Sequence, residues 1–125
     1  MIEFDTWLPQ ILGYCEFVCS DASVRKAWID SDVSGTSITS FDELYEQIFD
    51  DLDSDHFQPN LHKHLPRNLS LGTAVSRFLD QVKGLDSVRT LKPELKNMTK
   101  LLDSQEWQEL RGTAAAALKA QGQKM

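Results

Sequence analysis

The segment Tyr45-Glu-Gln-Ile-Phe-Asp-Asp-Leu-Asp-Ser-Asp-His56 sets four aspartates within six residues and a histidine directly behind them. Side chains of these types can hold a cation, work as a paired acid and base, or present a field that attracts a basic partner. Asp51, Asp53 and Asp55 match positions one, three and five of a calcium loop. The match then fails: position six is His56 where the turn needs glycine, and position twelve is His62 where a bidentate glutamate is needed. His56, His62 and His64 with Asp53 or Asp55 are donors that zinc or manganese accepts, but no C-x-x-C or H-E-x-x-H phrase accompanies them. Acid–base catalysis also lacks its companions. The six glycines are isolated, and no G-x-S-x-G or G-K-S/T phrase offers an oxyanion hole or a phosphate cradle. The sequence therefore predicts no metal, no cofactor and no enzymatic activity.

The elements that must carry these residues read as helices. Trp7, Leu8, Ile11, Leu12, Cys15, Val18 and Cys19 recur at spacings of three and four, which predicts a helix over 6–20 with Asp5 or Thr6 as cap and Pro9 in its first turn. A short second helix opens at Asp21 or Ser23, and 30–39 reads as a Ser, Asp and Gly-rich loop. Ser40-Phe-Asp-Glu43 has the capping-box form and starts a third helix that runs to about Leu52. Residues 54–68, with Pro59, Pro66 and the histidines, read as a loop. Ser70 caps a fourth helix stopped by Gly84; Pro93 opens a fifth; Asp103 or Ser104 caps a last one, with a frayed tail from Gln121. The prediction is an all-α fold, a compact bundle of five or six short amphipathic helices forming a single helical domain over 1–125. Short apolar runs in 30–39 and 85–92 leave room for a small β-element.

At 100° per residue, the carboxylates of the third helix fall within about 100° of one another in the order Asp42, Asp53, Glu46, Asp50, Glu43. Phe41, Leu44, Tyr45, Ile48, Phe49 and Leu52 fill the complementary arc. Like charges at i,i+3 and i,i+4, each unfavourable by about 0.2–0.5 kcal/mol, and acids at the negative helix C-terminus mark a face not arranged for stability alone. Two readings follow. Lys92, Lys96 and Lys100, four apart, neutralise the stripe within the fold, or the stripe meets a partner.

The totals bear on that choice. Net charge is −6, but residues 1–62 carry 13 acids and 2 bases, a net of −11, while residues 63–125 carry 6 acids and 11 bases, a net of +5. The acidic balance disfavours nucleic acid as partner. No apolar run approaches a membrane span and no signal-peptide pattern opens the chain, so a cytoplasmic location without membrane attachment is the expectation. Cys15 and Cys19 read as reduced thiols filling core space.

The phrases Ser40-Phe-Asp-Glu-Leu-Tyr-Glu-Gln-Ile-Phe-Asp-Asp-Leu-Asp53 and Ser104-Gln-Glu-Trp-Gln-Glu-Leu-Arg111, in a short acidic chain, resemble small bacterial immunity proteins of toxin and immunity pairs, especially those of contact-dependent growth inhibition. The resemblance is one of character over the whole chain, and it carries no residue roles with it. It implies a protein that binds and neutralises a cognate toxin domain, often a nuclease with a basic groove. The candidate contact residues are Asp42, Glu43, Tyr45, Glu46, Phe49, Asp50, Asp51, Asp53 and Asp55, carboxylates imitating phosphate with two aromatic anchors. The alternative is a helical regulatory or adaptor protein that binds another protein or nucleic acid through its basic C-terminal half.

Overall fold

Apolar residues at helical spacing build the chain from its first turn onward. The computed structural model describes residues 2–122, and among them there is no strand, neither in 30–39 nor in 85–92. Helix α1 (Phe4–Cys19) buries Trp7, Ile11, Leu12, Cys15 and Val18. It starts two residues earlier than the sequence predicts, so Pro9 falls inside the helix instead of in its first turn. Helix α2 (Asp21–Trp28) is capped by Ser20, whose hydroxyl accepts from the Ser23 amide. The following loop is anchored where Trp28 Nε1 donates to the Ile38 carbonyl at 2.9 Å.

Helix α3 (Phe41–Glu46) begins at the predicted cap, Ser40, whose Oγ accepts from the Glu43 amide at 3.0 Å. It does not continue regularly to Leu52. Residues Gln47–Asp51 form a π turn, with the Leu52 amide reaching the Gln47 carbonyl five residues back. Asp53 then takes a left-handed conformation (φ 50°, ψ 49°), and the chain turns into α4 (Ser54–Phe57), a 3-10 turn at Gln58–Asn60 and α5 (Leu61–His64). The predicted 54–68 loop is thus largely helical, because Phe57 and Leu61, four apart, are both buried and hold these turns against the core.

Helix α6 (Leu69–Leu91) is capped by Asn68 instead of Ser70: Asn68 Oδ1 accepts from the Leu71 amide, and its Nδ2 donates to the Ala120 carbonyl. Gly84 does not stop it. Leu85 and Arg89 continue the buried face past the glycine, and that burial outweighs the roughly 1 kcal/mol helix penalty of an exposed Gly. Pro93 opens a 3-10 turn (Pro93–Lys96) instead of a long helix; Asn97 ends it and caps α7 (Met98–Leu102). Of the two caps the sequence offers, Ser104 is the one that holds α8 (Gln105–Gly122), through the Trp107 amide; the helix includes Gln121 and Gly122, where the sequence predicts fraying, and the rest of that tail lies outside the described residues.

The buried side chains form one cluster, with α8 packed on both α1 and α6. Trp28 meets Trp107 edge-on at 5.3 Å. Among the described residues, no helix is long and apolar enough to cross a membrane.

Candidate functional site

The acidic segment is held by three polar attachments. Gln47 is the first: its Oε1 accepts from the Tyr14 hydroxyl at 2.9 Å, and its Nε2 donates to the Ser37 carbonyl and to Glu43 Oε1 at 3.1 and 3.0 Å. The second is Ser54, fully buried, whose hydroxyl donates to the Ile48 carbonyl at 2.6 Å and accepts from Trp7 Nε1 at 3.0 Å. This chain satisfies a carbonyl at the irregular end of the helix and an indole N–H in the core together.

The third attachment is Arg89 of α6. Its side chain is buried, its Nη1 donates to Asp42 Oδ1 at 2.9 Å, its Nε donates to the Leu95 carbonyl, and its guanidinium lies 4.7 Å from the Phe41 ring centre. Six residues nearer the N-terminus of α6, Lys83 pairs with Asp55, hydrogen-bonds Gln58 and sits over the Phe49 ring at 5.1 Å. The sequence offers Lys92, Lys96 and Lys100 as internal counter-ions. Among the described residues, Lys92 pairs with Glu106, and Lys96 and Lys100 make no ion pair.

Two of the carboxylates are therefore answered from within the fold, Asp42 by Arg89 and Asp55 by Lys83. Glu46, Asp50, Asp51 and Asp53 are exposed and have no ion-pair partner among the described residues; Glu43 is half-buried and held by Gln47.

The π turn also redistributes the face. An extra residue in the turn breaks the 100° progression. Burial raises the Tyr14 pKa, with the charges of Asp51 and Glu43 adding to the effect. Burial likewise raises that of Tyr45, with Asp86, Asp55 and Asp50 adding and Lys83 opposing. Asp51 and Glu43 thus influence the α1 side, and Asp50 and Asp55 the α6 side. Asp51, outside the stripe by helical angle, belongs to the acidic surface. Asp86 of α6 joins it beside Tyr45, and no spacing within the third helix announces it.

The aromatic anchors divide. Phe49 is buried, with its ring 4.8 Å from that of Tyr45, so only the half-buried Tyr45 is available at the surface. The histidines scatter: His64 stacks on Phe4 at 4.3 Å, His56 sits edge-on to Phe57, and His62 bonds Thr73 Oγ1. Among the described residues, no three His, Cys, Asp or Glu side chains are grouped to hold an ion. The chain matches no known family model, no curated protein and no solved structure.

Proposed function

We propose that this chain is an immunity-type binding protein that acts in the cytoplasm, neutralising a cognate toxin domain by meeting a basic surface with its acidic face. The observation that supports the reading is the exposed, internally unpaired set Glu46, Asp50, Asp51 and Asp53, at the end of and just after a capped helix whose backbone is anchored through Gln47, Ser54 and Arg89. Carboxylates fixed in this way meet a basic groove without the ordering cost of a flexible acidic tail. Asp42 and Asp55, already paired, shape the rim, and Tyr45 supplies apolar contact beside the charges. The interaction needs no covalent chemistry. Long-range attraction accelerates encounter, and close ion pairs with the toxin's Lys and Arg occlude its working surface.

The regulatory or adaptor reading, through the basic stretch 77–100, is the weaker one. Lys83, Arg89 and Lys92 of that stretch are engaged with Asp55, Asp42 and Glu106.

The test is to search the genes beside this chain's own for a toxic domain, co-express any such domain with it, and measure association kinetics at several salt concentrations. The double variant Glu46→Lys, Asp50→Lys should lower the association rate by about tenfold or more at low salt and flatten its salt dependence. An unchanged rate and salt slope would remove the acidic face from the interface.

A further inference from the structure

A cleft of about 350 Å³ opens where the first turn of α3 meets the end of α6. Asp86, Arg89 and Thr90, three and four residues apart, bring one face of α6 to it. Asp42 comes from α3, Lys96 from the 3-10 turn and Met98 from α7. Four of these six side chains carry charge, two of each sign, and one pair is closed, Arg89 with Asp42. Asp86 and Lys96 have no ion-pair partner among the described residues.

Arg89 is 5% exposed, and a guanidinium has five N–H donors to satisfy. Its Nε and Nη1 are used, but Nη2 donates to nothing among the described residues. Nη2 is not sealed in either. Among the described residues, the enclosed side-chain nitrogens and oxygens without a partner are Trp107 Nε1 and Arg111 Nε. Buried charged groups are as a rule hydrogen-bonded, so a free but reachable guanidinium nitrogen in a cleft wall calls for an acceptor inside the cleft.

We propose that this cleft binds a free α-amino acid as its zwitterion, with the carboxylate held by Arg89 Nη2 and Lys96 and the ammonium by Asp86. A simple anion would meet Asp42 and Asp86 beside the two cations, and a simple cation would meet Arg89 and Lys96. A ligand carrying both signs answers each of the open charges through charge-assisted hydrogen bonds. The Thr90 hydroxyl donates to the Asp86 carbonyl and keeps its lone pairs for the ligand's ammonium. Met98, half-buried, gives a flexible apolar wall for the ligand's side chain. The cleft lies at the small end of the range for ligand sites, which suits an amino acid better than a nucleotide. Lys96 and Thr90 are exposed, so the site is wet and the affinity modest, with a dissociation constant on the order of 1 mM.

Titration of the isotopically labelled full chain with L-leucine, followed by nuclear magnetic resonance at fixed ionic strength, tests this. The amides of Thr90, Lys96 and Met98 and the Arg89 side-chain Nε should shift saturably. Asp86→Asn and Lys96→Gln, which break no ion pair of the fold, should each weaken binding about tenfold or more, whereas Lys119→Gln on α8 should leave it unchanged. The singly charged analogues 4-methylpentanoate and 3-methylbutylamine, which also stand in for a chain terminus or a lysine, should bind at least about tenfold more weakly. No saturable shift up to about 50 mM L-leucine would mean that water alone fills the cleft and would overturn the proposal. Equal binding by either analogue, or indifference to both variants, would overturn it as well. Failure here leaves the acidic-face reading untouched, because that reading is measured by toxin association without any amino acid present.

Discussion

Arg89 Nη1 lies 2.9 Å from Asp42 Oδ1, joining the last turn of α6 to the first turn of α3. The pair is lopsided. The Arg89 side chain is 6% exposed and that of Asp42 71%.

That asymmetry predicts unequal losses. Arg89→Ala removes buried packing, the Leu95 carbonyl's donor and the cation over Phe41, and should cost about 2–4 kcal/mol. Asp42→Asn leaves the guanidinium its carbonyl and ring and should cost less than about 1 kcal/mol. Urea unfolding of both variants measures the difference, and equal losses would contradict this account of the pair.

Ser54 predicts a second effect on stability. Ser54→Ala deletes one hydroxyl but leaves two buried groups without it, Trp7 Nε1 and the Ile48 carbonyl. The expected loss is about 2–4 kcal/mol, larger than for an exposed serine, with a change in Trp fluorescence reporting the altered indole environment.

Gly84 predicts a gain. It lies inside α6, exposed, and a Cβ there would meet nothing closer than Gln81 Oε1 at 4.0 Å. Gly84→Ala should raise stability by about 0.5–1 kcal/mol through helix propensity alone, readable as a higher urea midpoint at unchanged slope.

Cys15 predicts an alkaline limb. Burial, the largest cause, raises its thiol pKa far above the ordinary 9.0, with the nearby Cys19 and Glu16 adding. The folded chain therefore keeps this proton to higher pH than the unfolded chain does. The stabilisation is complete below pH about 9 and is lost progressively above it. Melting temperature should fall as pH rises past about 9, and Cys15→Ala, although less stable overall, should show a flatter profile between pH 9 and 10. Tyr14, raised from 10.0, adds a later limb in the same direction.

The acidic face predicts a trade-off. Asp50 is exposed, lies in a helical end that disfavours acids and has no ion-pair partner among the described residues. Asp50→Lys should stabilise the isolated chain by about 0.3–1 kcal/mol, more at low salt, while slowing association with a basic partner. Lower stability in the variant would mean that the carboxylate serves the fold.

By itself, the sequence determined the helical class, the order of the main helices, most of their buried residues, and the caps at Ser40 and Ser104. Those follow from local rules: apolar spacing at 3.6 residues, and hydroxyls that accept from amides three residues on. It also located the acidic segment. Tertiary structure decided what that segment presents. Whether Gly84 ends a helix depends on whether Leu85 and Arg89 find a core, which no local pattern encodes. Whether the third helix runs on to Leu52 depends on Trp7, forty-seven residues before Ser54, and on the hydroxyl between that indole and the Ile48 carbonyl. The counter-ions were decided in the same way. Lys92, Lys96 and Lys100 have the right spacing along the chain, but the packing of α3 and α4 against α6 brings Arg89 to Asp42 and Lys83 to Asp55 instead. Spacing fixes which charges share a helix; only the packing of one helix on another fixes which of them are answered, and so which remain for a partner.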